Sequence, residues 1–504
     1  MKAVVFAILT LLVAGLHAQM STAGFVHNAL SDSVDTKHSS MGYNRDPFYF
    51  FSGERQISLY PMAFSEAMAG SGLPYSAGAG VWVGGSINNN AHFKISPAFT
   101  HAVYPKFIGE KFDSLNFFPG EGRTLYSSGK SNGYLSVPVM FTHELSPVFT
   151  LRAGNEKTFL GDGYRSMLLS DQGAEYPFVR IEANLNQLRY QHQISRWRQQ
   201  MPDGHSETKF SATHYLSWMI NSKLNLSFFE SVVWKAEDSV RQRGFEWLYL
   251  NPVLFFRPAE FALGSPDNML IGGNISWNIF PKTKLYGQIL LDEFFISEIK
   301  NWIKHSLHPS DSSIPYGAWV NKQAFQIGIK SVGLFGIGGL NALAEFNFAR
   351  PYVFSHRDPM MSYTNMNQPV AHPLGANFYE FVFRSQYKKE KWSAHFNAMY
   401  YVTGLDSAGT HFGQDLLQST FDGPVGNGNI PVQYYGNVVG QGVRHNIIQT
   451  SAEYRRMFRY ANTSFVWRLG VLYRNDQSEV GNSSEMYVYT GIFLNLRPGE
   501  WNFR

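Results

Sequence analysis

No cysteine occurs in the 504 residues, which excludes disulfide frameworks, thiolate zinc sites and cysteine nucleophiles. Charge is scarce too: charged residues make up 16 %, against roughly 25 % in an average soluble domain. Lysine and arginine number 42 and aspartate and glutamate 38, a net +4 with no concentrated basic stripe, so a nucleic-acid partner has no electrostatic footing. Beyond the first 20 residues no apolar run approaches the ~18 residues of a membrane-crossing helix, and mean hydropathy is −0.21. What the chain does have is 16 % aromatic residues and 45 glycines. Few charges, many aromatics and no long apolar run suit a membrane β-barrel, whose strands are greasy on one face only.

The N-terminus reads as an export signal. Met1-Lys2 precedes an uncharged stretch from Ala3 to Leu16, then His17-Ala18-Gln19, which places a signal peptide at 1–18 with cleavage after Ala18. Residues 19–46 are polar, a lead or partial periplasmic plug. From 47 to 504, short alternating segments separated by Gly, Asn, Asp, Ser and Pro run without a composition break, and no fixed-period repeat interrupts them.

The alternation is visible residue by residue. Tyr379, Phe381, Phe383 and Tyr387 share one face, while Glu380, Arg384 and Gln386 share the other. After the turn Lys388-Lys389-Glu390-Lys391, Trp392, Ala394, Phe396, Ala398 and Tyr400 oppose Ser393, His395 and Asn397. Phe465, Trp467, Leu469, Val471 and Tyr473 likewise oppose Arg468 and Arg474. Strand side chains alternate in direction, so each segment has a greasy and a wet face. A soluble sandwich shares this period. Aromatic faces about ten residues long and full charges in mid-strand favour a transmembrane antiparallel outer-membrane β-barrel. At very roughly 25 residues per strand and turn, the expectation is an all-β barrel of about 18 strands. Arg180, Glu182, Glu345, Glu380, Arg384, Glu453, Arg455, Arg468 and Glu485 all fall on the predicted inner face. Mixed charges in an enclosed space pair and fill it, which predicts a plugged or narrow lumen.

Several longer motifs follow one another along the chain. They begin with Phe159-Leu160-Gly161-Asp162-Gly163-Tyr164-Arg165-Ser166-Met167-Leu168-Leu169-Ser170-Asp171 and Tyr176-Pro177-Phe178. Phe229-Glu230-Ser231-Val232-Val233-Trp234, Tyr249-Leu250-Asn251-Pro252-Val253 and Gly264-Ser265-Pro266-Asp267-Asn268 follow. Tyr286-Gly287-Gln288, Asp292-Glu293-Phe294, Arg350-Pro351-Tyr352 and Ala371-His372-Pro373-Leu374-Gly375-Ala376-Asn377-Phe378 complete the string. In that order they resemble the Wzi-like capsule-assembly barrels of outer membranes, a family that includes the RemB-type gliding-motility proteins of Bacteroidetes-type bacteria. The resemblance implies an outer-membrane location and a protein that binds or organises surface polysaccharide without chemistry or a cofactor. Its implied partners are outer-membrane lipid and capsular polysaccharide. The alternative function is a structural part in a gliding-motility, adhesion or secretion assembly with protein partners, and the second alternative is a diffusion porin. In the better-known capsule members a helical element closes the periplasmic mouth; here only the stretch before Pro47 is available. The chain ends Trp501-Asn502-Phe503-Arg504, with the terminal aromatic one place inward.

Gly161-Asp162-Gly163-Tyr164-Arg165 reads as a tight turn presenting Tyr164 and Arg165. As a sugar site it would offer a flat ring and the paired hydrogen bonds of Arg165 and Asp162. As a folding element, Arg165 would pack inside the barrel against Asp162 or Glu293. The ligand-binding candidates are Asp162, Tyr164, Arg165, Glu293, Arg350, His372, Tyr434 and Tyr435. Asp292-Glu293 is a poor glycosidase pair, because neighbouring strand residues point to opposite faces. His305-Ser306-Leu307-His308 has metal-like spacing but reads as a loop before Pro309, so no metal site is expected. Polar stretches at 202–209, 304–316, 354–372 and 404–442 are expected as extracellular loops rich in the aromatic and amide side chains that hold sugars.

Overall fold

The structure is a computed structural model that describes residues 57–109, 117–118, 120–123, 125–128, 131–201, 205–236, 244–252, 267–293, 296–311, 313–407, 409–420, 432–460 and 463–495. The expected signal peptide, the polar lead, residues 47–56 and Phe503 lie outside the described residues.

Eighteen antiparallel strands close into one barrel. They are β1 (Ile57–Gly70), β2 (Tyr75–Asn88), β3 (Ala91–Ile95 and Ala98–Val103), β4 (Ser131–Ser136 and Val139–Glu144), β5 (Phe149–Glu156) and β6 (Tyr176–Leu185). Next come β7 (Leu188–Gln200), β8 (Ser206–Met219), β9 (Leu224–Lys235), β10 (Asn268–Phe280), β11 (Thr283–Leu291) and β12 (Gln323–Val332). The last are β13 (Leu340–Ala349), β14 (Phe378–Lys389), β15 (Trp392–Leu405), β16 (Val443–Tyr460), β17 (Thr463–Ser478) and β18 (Gly481–Leu494). Each pairs with its successor, and β1 closes on β18 from Ala63↔Leu494 to Gly70↔Tyr487. Pro97 and Pro138 interrupt β3 and β4 at one level, because proline has no ladder N–H to give.

The outer wall carries the aromatic and aliphatic face read from the sequence: Phe381, Phe383, Phe396, Leu469, Val488 and Ile492 are all exposed. Glu182, Glu345, Glu380, Arg384, Glu453, Arg468 and Glu485 are buried, on the inner face as expected. This is the inside-out pattern of a transmembrane barrel. Among the described residues no helix is long and apolar enough to cross a membrane. Connections at one end are short, among them 89–90, 186–187, 281–282 and 390–391; those at the other are mostly long, including 157–175, 292–322, 350–377 and 406–442. Short turns belong to the periplasmic side and long loops to the cell exterior.

Two of the long loops turn inward rather than outward, joined by Phe107 and Ile108 of the β3–β4 connection, which corrects the expectation of an outward extracellular loop at 354–372. The loop 157–175 drops from the end of β5 into the lumen, and 350–377 lies across it. Leu160, Met167, Leu168, Leu169, Phe354 and Tyr363 from these loops join Trp197, Tyr215 and Phe229 of the wall in one buried cluster. The hairpin tip of the second loop (Thr364–Asn365 paired with Gln368–Pro369) reaches β7. There Met366 N–H donates to the Arg198 carbonyl at 2.6 Å, and Asn365 and Asn367 accept from the amides of Arg198 and Gln200 at 3.1 and 3.0 Å. The stretch of β7 beyond its pairing with β6, which stops at Ser195, is thereby covered.

One outer loop holds a helix, α1 (Ile296–Leu307), so His305 lies in the last turn of a helix and the loop reading of 305–308 is corrected up to Leu307.

Candidate functional site

The turn at 161–165 sits deep inside the barrel because two glycines let its backbone touch the wall. Gly161 has φ 142°, and a Cβ there would lie 2.2 Å from Gln288 Nε2. At Gly163 a Cβ would lie 2.3 Å from Glu345 Oε2. No other residue leaves that space. With the backbone so close, Glu345 accepts hydrogen bonds from the amides of Tyr164 (2.8 Å) and Arg165 (3.1 Å), from Tyr286 OH (2.8 Å) and from Asn347 Nδ2 (2.9 Å). Several donors on one buried carboxylate offset the cost of taking it out of water.

Asp162 pairs with Lys284 at 3.1 Å and accepts from Asn274 at 3.0 Å, while Lys330 donates to its carbonyl at 2.6 Å. Arg165 meets Glu380 at 3.3 Å, and His372 lies 2.8 Å from the other oxygen of that carboxylate. Burial works against the Arg165 charge, but Glu380 above all outweighs it, and the guanidinium pKa ends above its usual value. Arg384 lies 4.0 Å over the Tyr164 ring. Four candidates, Asp162, Tyr164, Arg165 and His372, are thus brought together, and all four are buried. Arg165 does pack inside, but its partner is Glu380 rather than Asp162 or Glu293.

The other candidates lie elsewhere. Glu293 pairs with Lys322 at 3.1 Å, while Asp292 accepts the Phe354 amide at 2.8 Å and is pushed up to about 7 by burial. Both acids lie just past the end of β11 at Leu291, so the strand alternation read from the sequence does not govern them, and Lys322 acts on both. Arg350 donates to the Ala318 carbonyl at 3.4 Å. Tyr434 and Tyr435 are each 54 % exposed and therefore open to a ligand. Their segment is anchored: Gly436 N–H donates to Tyr316 at 2.7 Å, Asn437 Nδ2 to Gly317 at 2.9 Å, and Trp319 N–H to Tyr434 at 3.0 Å. Tyr316 stacks on His305 of α1, centroids 4.3 Å apart and planes 13° off parallel. Tyr316 and Trp319 are aromatic neighbours not among the sequence candidates, and His305 is weighed there only as a metal ligand. The signal was present in the 3.6-residue spacing of Ile296, Ile299, Ile303 and Leu307. Residues 421–431 of the expected loop at 404–442 lie outside the described residues. Among the described residues no group of three or more His, Asp or Glu is placed to hold a metal.

Glu175, just before β6, gives the outer part of the barrel a pH dependence. It accepts from Ser136 Oγ at 2.6 Å and Asn155 Nδ2 at 3.1 Å. Burial pushes its carboxyl from 4.5 up to about 7 against the pull of Lys157. The folded chain therefore holds this proton more tightly than the unfolded chain. The resulting stability is complete below about pH 4.5 and is lost as pH rises through about 7. Urea unfolding in detergent should find Glu175→Gln equal to the parent near pH 4.5 and up to about 3 kcal/mol more stable near pH 8.

Scans of family models and of curated proteins return no match. Among solved structures, the barrel is similar to Wzi of Escherichia coli, described as a carbohydrate-binding β-barrel involved in group 1 capsule assembly. The TM-score is 0.51 at 11 % identity over 87 % of this chain and 85 % of that one. OccAB2 of Acinetobacter baumannii (TM-score 0.43, 8 % identity, 87 % of this chain and 98 % of that one) and OccK8 of Pseudomonas aeruginosa (0.44, 10 %, 88 % and 98 %) also match. The shared feature is the outer-membrane barrel fold.

Proposed function

We propose that the chain is a Wzi-like outer-membrane barrel that binds or organises surface polysaccharide at its extracellular face, without catalysis. The observation that carries this reading is the pairing of a filled lumen with an exposed aromatic ledge. Loops 157–175 and 350–377 occupy the interior, so the work falls to the outer surface. There Tyr434 and Tyr435 stand on a backbone pinned to Tyr316 and Gly317. Flat rings beside Gln433, Asn437 and Gln441 supply the apolar face and amide donors that a sugar chain needs. The family resemblance points to the same ligand class, and the likeness to a carbohydrate-binding barrel supports it.

The test is binding of the purified barrel to the capsule polysaccharide of its host, by calorimetry or glycan array. Binding should be measurable, and the pair Tyr434→Ala and Tyr435→Ala should weaken it about tenfold, the ~1.4 kcal/mol of one or two lost ring contacts. Silence toward that glycan, or full binding by the double variant, would defeat the reading.

A further inference from the structure

At its periplasmic end the barrel concentrates positive charge in one sector of the outer wall. The chain between β14 and β15 reads Lys388-Lys389-Glu390-Lys391, whereas the connections 89–90, 145–148, 186–187, 220–223, 281–282 and 333–339 hold one lysine at most. Arg456 of β16 joins this sector. The register sets Lys389 opposite Trp392 and Trp392 opposite Arg456. Paired residues share a face of the sheet, so these three project on the side of the exposed Phe383 and Phe396, toward lipid. Lys389, Lys391 and Arg456 are exposed, and among the described residues none of the three is ion-paired.

Arg456 lies within the lower rim of the apolar band rather than beyond it. Phe458, the next outward residue toward the periplasm, still has 50 % of its surface open, and the Arg456 guanidinium leans over its ring at 6.0 Å. On the other side Trp392 stacks on Tyr454 at 5.8 Å and 27°, Tyr387 tilts against Trp392 at 5.4 Å, and Trp467 stands edge-on to Tyr454 at 6.1 Å. Rings of this kind mark the level of the lipid headgroups. A cation among them with no acid of its own meets headgroups, not bulk water.

Immediately above these rings the wall is hollow. Ala394 faces Tyr454 and Phe396 faces Ala452, so two methyl groups lie diagonally between two rings. Together with Tyr387 and Leu469 they line an open groove of about 640 Å³ on the lipid side. It starts beside Trp392 and leads toward the middle of the membrane, where an acyl chain would run.

We propose that the β14–β17 sector holds one anionic phospholipid of the periplasmic leaflet, with its phosphate between Lys389 and Arg456 and an acyl chain in the groove over Ala394 and Ala452. Lys389 and Arg456 flank Trp392 at two strand spacings, about 10 Å, which two long side chains close on a single phosphate. Three unpaired cations against the lone Glu390 favour a negative headgroup over a zwitterionic one, and the fork of Arg456 suits phosphate oxygens. This inference is independent of the polysaccharide reading, whose ledge stands at the opposite end of the barrel.

The test titrates the purified full-length barrel in detergent with phosphatidylglycerol, or with phosphatidylcholine of the same chains, and counts bound lipid by native mass spectrometry. One phosphatidylglycerol should be retained per barrel, at about tenfold lower concentration than phosphatidylcholine. Lys389→Gln combined with Arg456→Gln should bring the two lipids level. Ala452→Trp, which fills the groove, should weaken both about tenfold. All three positions are exposed on the wall, and the gel shift on heating verifies that each variant is folded. Excess inorganic phosphate should leave the lipid in place; displacement would mean a site for free anions and overturn the proposal. Equal retention of the two lipids by the parent overturns it as well, and so does an unchanged preference in the charge variant or undiminished binding by Ala452→Trp. None of these results bears on glycan binding, so the two readings fail separately.

Discussion

Arg165→Met should lower the stability of the refolded barrel by roughly 3–5 kcal/mol, read as a lower urea midpoint in detergent micelles. The reason is what stays behind. Arg165 and Glu380 are each 1 % exposed in their side chains, so the carboxylate cannot recover by hydration when its guanidinium is removed. His372 and Asn347 remain within 2.8 and 2.9 Å, but Asn347 brings no charge, and His372 helps only if it takes up a proton. The companion Glu380→Gln should recover most of the loss, because a buried pair replaced by two neutral groups is often close to neutral in stability. Arg384→Met is the contrast. It removes a stack on Tyr164 and a hydrogen bond to Asn397 at 2.9 Å, and should cost about 1–3 kcal/mol. If Arg165→Met and Arg384→Met prove equally mild, the Arg165–Glu380 pair is not what secures the inward loop.

That contrast also marks what a reader of the sequence could know. Period-two alternation exposed the barrel, its approximate strand number and the inward placement of Glu345, Glu380, Arg384 and Arg468, because each depends only on neighbours two residues away. Which charges meet was hidden. Arg165 and Glu380 are 215 positions apart, and no local pattern encodes a contact across a lumen. The inward course of 157–175 was half visible. Its Gly and Asp residues are those of any exposed turn, but Met167-Leu168-Leu169 is an apolar run no solvated loop needs. Tyr434 and Tyr435 stand out in the sequence as an aromatic pair, whereas α1 is masked there by Pro309, two residues past its end, despite the helical period of Ile296, Ile299, Ile303 and Leu307.

Cutting away both inward loops should turn the barrel into an open pore. A wall of 18 strands is as wide as that of porins, which leave an aqueous channel, so its width alone would let small solutes through. What stands in the way is chiefly 157–175 and 350–377, with Phe107 and Ile108 of the β3–β4 connection at one side. The strands beneath them are paired to their tips: Glu156 faces Tyr176, and Ala349 faces Phe378. Each loop can therefore be replaced by a two-residue Asn-Gly turn that suits an antiparallel hairpin without disturbing the ladder. Glu345, Glu380, Lys284 and Lys330 would then be released into water, where charges of both signs line a channel at little cost. The parent should be silent in planar bilayers and fail to swell liposomes with small sugars. Removing 157–175 alone should leave the upper layer and admit little, because 350–377 still crosses the mouth and holds the β7 edge through Met366, Asn365 and Asn367. The double deletion should show stepwise conductance of the size seen with open 16–18-stranded porins. Folding is checked in the same samples by circular dichroism and by the gel shift on heating. A parent that conducts freely would mean the filled lumen does not seal and would favour a diffusion role. A folded double deletion that stays silent would mean the seal lies outside these two loops.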